Sequence, residues 1–196
     1  MSTARQQAAK KTRDKIIQSA MEIVGKSGYK ALTSNALVAQ AGVAKGTIYH
    51  HFDSLDDVIF AMIRSICSQM VNDISEHQYT SLKGYFSAIG EYNIDECANN
   101  RELINIIFGF FPIGMKDQKF KTLATELIEA DCQQTTAVIQ SFYHEKLSKE
   151  KLDHAVRMID MFSAGFVIHN TLFDNPELYK QIWQEFGDML IFYLEK

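Results

Sequence analysis

Five side chains within seven residues carry the clearest chemistry in this chain: Lys45, Thr47, Tyr49, His50 and His51. Each can donate a hydrogen bond, the lysine is a fixed cation, and each histidine gains charge on protonation. Gly46, among them, lets a partner's backbone approach closely. Such donors on one short segment suit an anionic, acceptor-rich surface, with hydroxyls reaching phosphate oxygens and lysine reaching a phosphate or a guanine edge. Upstream, Thr33, Ser34 and Asn35 stand where a helix N-terminus would also face phosphate. The motifs of turnover are absent: the sequence has no Gly-x-Ser-x-Gly, no His-Glu-x-x-His and no glycine-rich phosphate loop. An enzyme is therefore not expected, and neither a metal site nor a cofactor.

The elements that must position these donors follow from composition and spacing. Hydrophobic residues make up 46%, prolines number only two, Pro112 and Pro176, and strand-like alternation is nearly absent. An all-α protein is expected. Residues 1 to 11 are polar and read as a disordered basic arm, able to follow a nucleic-acid backbone or reach a minor groove. A first helix starts near Thr12, buries Ile16, Ile17, Ala20 and Val24, and stops at Gly28. Thr33 or Ser34 caps a second helix, Gly42 makes a sharp turn, and a third helix runs from Lys45 to Phe52. Ile48 and Phe52, four residues apart, face inward, which leaves the donors outside. Two short helices joined by a glycine turn form a helix-turn-helix pattern.

Charge is distributed to match. Residues 1–51 hold eight basic side chains (Arg5, Lys10, Lys11, Arg13, Lys15, Lys26, Lys30 and Lys45) against Asp14 and Glu22. The rest of the chain is acidic enough to bring the whole to -4. A basic head on an acidic body fits a polyanion-binding module. Cys67, Cys97 and Cys132 show no metal spacing and read as reduced thiols. No leader or membrane span is expected, and a cytoplasmic location follows.

Residues 13 to 58 resemble the DNA-binding domain of TetR-family transcriptional regulators. The likeness rests on Ile16, Ile17, Ala20 and Val24 before Gly28-Tyr29, on Thr33, on the turn Ala41-Gly42-Val43, and on Lys45-Gly46-Thr47-Ile48-Tyr49-His50-His51-Phe52. Three positions depart from the family pattern. Leu55 stands where a phosphate-binding lysine is usual, Val38 replaces a small alanine, and Ala44 replaces a capping serine or threonine. The resemblance implies a DNA-binding head over residues 1–53 and a helical effector-binding and dimerisation domain over 54–196. It also implies that the last two helices form a homodimer, so that two recognition helices read a palindromic operator.

In the body, six further helices are expected. The fourth opens at Ser54, and the fifth spans Ser81 to Ala98. The sixth spans Arg101 to Phe110, before a bent apolar connector at 108–115. The seventh spans Gln118 to Lys146, the eighth Lys149 to Phe173, and the ninth starts at Asn175-Pro176. Tyr85, Phe86, Tyr92, Phe108, Phe111, Met115, Phe142, Met158, Met161 and Phe162 can line an adaptable cavity or fill plain core. Asn105, Asp131, Gln134, Thr135, Asp160, His169 and Asn170 lie among them as polar groups that could orient a ligand. The last two helices are apolar on more than one face, which calls for a second copy to cover them. The function expected is a ligand-responsive regulator, a repressor released from its operator by a small apolar or aromatic effector. A ligand-activated co-repressor, an all-helical enzyme and a protein-binding adaptor are the alternatives.

Overall fold

The computed structural model describes residues 3–75, 79–97, 99–143, 147–173 and 175–196. Nine α-helices and no strand occur among the described residues. They are α1 (Ala4–Ser27), α2 (Ser34–Ala41), α3 (Lys45–His51), α4 (Leu55–Ser75), α5 (Leu82–Glu91), α6 (Arg101–Gly114), α7 (Gln118–Ser141), α8 (Lys149–Leu172) and α9 (Pro176–Glu195). The chain divides into two compact units. Unit 1 holds residues 1–69 and 101–124, and unit 2 holds 70–100 and 125–196. The expected ends of the fifth helix at Ala98 and of the seventh at Lys146, and the Cys97 thiol, lie outside the described residues.

Unit 1 is built on α1. Ile16, Ala20 and Val24 recur at helical spacing and are wholly buried, as are Leu37, Val58 and Met62. α1 stops at Gly28, whose φ of 77° is open to glycine at little cost. One expectation fails here: residues 4–11 are helical rather than a disordered arm. Alanine, glutamine, lysine and arginine favour helix, and Thr3 supplies a capping box. Its hydroxyl accepts from the Gln6 N–H, while the Gln6 side chain accepts from the Thr3 N–H. Because the buried half of α1 already provides the nucleus, extension needs no new nucleation.

α6 packs along α1 within unit 1. The Asn105 amide donates to the Gly25 carbonyl at 2.8 Å, and the Tyr29 hydroxyl donates to the Ile106 carbonyl at 2.6 Å. A side chain at Gly25 would meet the Glu102 Cβ at 2.8 Å, so the close approach of the two helices needs glycine there. Burial pushes the Tyr29 phenol up, and Cys67 adds to it. The expected connector after Phe110 is instead the last turn of α6, which runs through Pro112 to Gly114. Proline at that late position removes only the bond to the Phe108 carbonyl, and the Met115 N–H still reaches the Phe111 carbonyl at 3.0 Å.

Unit 2 has an aromatic centre. The buried Trp183 indole donates to the Phe86 carbonyl at 2.7 Å, Phe162 stacks on Phe186 with ring centres 3.9 Å apart, and Phe166 meets Trp183 edge-on. α5 is shorter than expected and passes into a π-turn at Tyr92–Cys97. Ser81, Ser148 and Asn175 cap α5, α8 and α9 through side-chain oxygens. Arg157 pairs with Glu129 and lies 3.8 Å from Asp153. Desolvation raises the Asp131 carboxyl, with the Asp160 charge adding to it. Desolvation also raises Asp160, against the pull of Arg157.

Two measurements test this core. An alanine at Gly90 would put its Cβ 2.3 Å from the Trp183 ring, so Gly90→Ala lowers unfolding free energy by about 1–3 kcal/mol in a urea titration. Burial raises the Tyr85 phenol from 10.0 to about 12, opposed by the Thr135 hydrogen bond and helped by Asp131 and Tyr79. The folded state therefore holds its proton more tightly than the unfolded state. This contribution is complete below pH 10 and is lost as pH rises to about 12. Stability measured across that range falls less steeply in Tyr85→Phe.

Candidate nucleic-acid interface

The polar face is assembled from three short pieces of unit 1. Thr33 caps α2, its hydroxyl accepting from the Ala36 N–H at 3.1 Å. Gly42 ends α2 in the left-handed region, with φ 58° and ψ 38°, where a Cβ-bearing residue would be strained. Ala44 then precedes α3 in extended conformation and provides no side-chain cap. α3 is held by Ile48 at 1% exposure and Phe52 at 5%. Their burial turns Lys45, Gly46, Tyr49 and His50 to solvent, with Thr47 and His51 half-buried.

Tyr49 shows how the piece is set. Its ring is 43% exposed, yet its hydroxyl shares a 2.8 Å hydrogen bond with the Ser34 hydroxyl. The phenol is thereby tied to the start of α2, beside exposed Thr33 and Asn35. Two residues that sequence reading assigned separately to phosphate contact thus meet as a pair. The bond still leaves hydroxyl capacity for a partner, because each hydroxyl has one hydrogen and two lone pairs. His50 and His51 rest edge to face, 5.3 Å between ring centres. Ser54 opens α4, donating to the Asp57 carboxylate at 2.7 Å and accepting the Asp57 N–H at 3.2 Å. Sequence reading missed Arg13, whose guanidinium lies 5.0 Å above the Phe52 ring at the end of α3. An Arg–aromatic pair thirty-nine residues apart leaves no local signal.

The ten residues proposed for an effector cavity are divided. Phe108, Phe111 and Met115 belong to unit 1, and the other seven to unit 2. Tyr85 and Phe86 are buried in the unit 2 core, with Phe142, Met158 and Phe162 packed against it. Tyr92 is half-buried at the π-turn. Met161 and Met115 are 65% and 79% exposed. Among the polar groups, the Asn105 amide is taken by Gly25 and the Thr135 hydroxyl by Tyr85 at 3.3 Å. A groove of about 160 Å³ in unit 2 lies elsewhere, over Gly90, Glu91, Asp95, Glu177, Lys180 and Trp183. None of the ten lines it. No group of three His, Cys, Asp or Glu that could hold a metal ion occurs among the described residues. No described helix is long and apolar enough to cross a membrane.

A tight αL turn between two short helices, with exposed donors on the second, is a helix-turn-helix reader. Residues 16–62 match the model of bacterial regulatory proteins of the tetR family. The fatty acid metabolism regulator protein of Bacillus subtilis (strain 168) is 31% identical over 61 residues, which cover 31% of each chain. The chain spans about a third of the length of the curated relatives it matches. In fold it is similar to a TetR transcription regulator from Haloarcula marismortui, with a TM-score of 0.73, 13% identity, and 95% and 97% of the two chains covered. It is also similar to the multidrug binding protein EbrR complexed with malachite green, with a TM-score of 0.67, 18% identity, and 91% and 96% covered. Residues 16–62 thus match the tetR-family model, and the chain as a whole has a fold similar to that of a solved TetR regulator, with a helix-turn-helix in its head.

Proposed function

We propose that the protein is a homodimeric repressor, held on a palindromic operator and released by a small apolar or aromatic effector. The observation that carries the reading is the exposed donor face of α3, with Tyr49 tied to Ser34. In this reading Lys45, Thr47, Tyr49, His50 and His51, with Gly46 giving close approach, lie in the major groove. Thr33, Ser34 and Asn35 sit on the flanking phosphates. Release by a small molecule is supported by the fold it shares with EbrR, a multidrug binding protein complexed with malachite green. The effector acts by binding the two conformations with different affinity, typically by about 1–3 kcal/mol.

The second copy is supported by apolar surface on the last two helices. Met161, Ile168 and Leu172 recur on α8 at helical spacing and are 65%, 41% and 71% exposed. Met189 and Phe192 on α9 are 64% and 57% exposed. Small Ala164 and Gly165 between them allow close helix approach, and a self-complementary patch of this kind suits a two-fold axis. A two-fold pair would set two α3 helices about one turn of DNA apart.

Duplexes selected from a random pool by the full chain should share a palindrome. Lys45→Ala with Tyr49→Ala should lose preference for it at least tenfold while the fold is retained by circular dichroism. Unchanged preference would remove α3 from the reader's role. In sedimentation at micromolar concentration the wild type should run as a dimer. Met161→Asp with Met189→Asp should run as a monomer, and a monomeric wild type overturns the pairing.

A further inference from the structure

The first two turns of α1 bury nothing in the core. Residues 3–11 are all exposed, and so are Arg13, Asp14 and Lys15. Apart from the Ala positions there is nothing apolar to bury, and the stretch lies outside the matched residues 16–62. Yet it is an ordered helix, closed by the Thr3–Gln6 capping box, with the Thr12 hydroxyl returned to the Ala8 carbonyl at 3.0 Å. It carries Arg5, Lys10, Lys11, Arg13 and Lys15 against the single acid Asp14.

Its root lies beside the reader. Arg13 covers Phe52 at the end of α3, and a side chain at Gly42, the corner between α2 and α3, would come 3.8 Å from the Lys15 ammonium. From Arg13 back to Ala4 the helix extends about 14 Å, a span of about four base-pair steps along one strand. We propose that this N-terminal extension of α1 is a second DNA-binding element, a rigid cationic rod that lies along the phosphate backbone next to the recognition helix. It adds affinity without adding base readout, because its charged side chains can meet phosphates of any sequence. The cations are spread around the helix rather than along one stripe, so two or three of them meet a given strand. This matters more here because Leu55 and Ala44 leave the head without two of the supports that the resemblance would supply.

The proposal rests on the DNA-binding reading, and the test separates the two. The full chain is titrated against a random-sequence duplex of about 30 base pairs, from about 50 to about 300 mM potassium chloride. Replacing Arg5, Lys10 and Lys11 together by Gln keeps helix-forming residues. It should lower the slope of log affinity against log salt by about 1–2, since each phosphate contact accounts for about 0.9. Affinity at the lowest salt should fall roughly tenfold, with the selected palindrome still preferred by the same ratio. Ala8→Pro keeps every charge but frees residues 3–7 from the helix, and should lose part of that affinity. A triple variant that matches wild type in slope and affinity, or binds more tightly, overturns the proposal and leaves the extension a solvated helix. Full affinity in Ala8→Pro overturns the rigid rod, because the charges would then act from a flexible arm. If the wild type binds no duplex at any salt, the DNA-binding reading fails first. If it binds and depends on Lys45 and Tyr49 while the triple variant is silent, only the extension's role is lost.

Discussion

Burial of Ile48 and Phe52 is the interaction on which the reader depends. α3 has seven residues and no side-chain cap, and a helix that short is unstable alone in water. Ile48 at 1% exposure and Phe52 at 5% fasten it to a core that includes wholly buried Ile16, Ala20, Val24 and Leu37. Full burial of such side chains contributes about 1.5–3 kcal/mol each, more than one capping bond does. Because packing holds the inner face, the outer face is released from any part in folding. Lys45, His50 and Thr47 can then be chosen for what they touch. Tyr49 is the exception, since its bond to Ser34 joins the outer face to α2.

α1 carries that core and is itself gripped by α6. Two hydrogen bonds, from Asn105 to the Gly25 carbonyl and from Tyr29 to the Ile106 carbonyl, fix the end of α1 at the point where Gly25 lets the helices touch. The Ile106 carbonyl lies within α6 and takes a second donor, whereas the Gly25 carbonyl lies in the last turn of α1, where a helix supplies no partner of its own. The raised Tyr29 phenol keeps its hydrogen as the donor throughout the neutral range. Within unit 1, the position of α6 and the seat of α3 are therefore set by the same helix.

Unit 2 solves a different problem. Its aromatic centre is tight, as the Trp183 contact with Gly90 and the Phe162–Phe186 stack show. The apolar excess appears on its surface, at Met161, Leu172, Met189 and Phe192. Methionine suits such a surface, because its flexible thioether adapts to an opposing face. The side chains that looked most like a pocket lining in sequence fall into two groups here, some packed as core and some turned outward. Helical spacing places a residue on a face but does not say what that face meets.

The sequence by itself determined the all-α class, the helix-turn-helix and its donors, because these rest on local rules. Ile16, Ala20 and Val24 repeat at 3.6 residues, Gly28 and Gly42 sit where φ must be positive, and Thr33, Ser54, Ser148 and Asn175 cap the helices that follow them. The helical state of residues 4–11 was legible in principle from Thr3 and Gln6, but their polarity argued for disorder instead. Tertiary structure alone decided that α6 belongs with α1, that Asn105 serves a carbonyl of the head, and that Tyr49 pairs with Ser34. The physical reason is range. Caps and turns act within four residues, whereas these contacts join groups fifteen to eighty residues apart, and only the packing of whole helices brings them within hydrogen-bond distance.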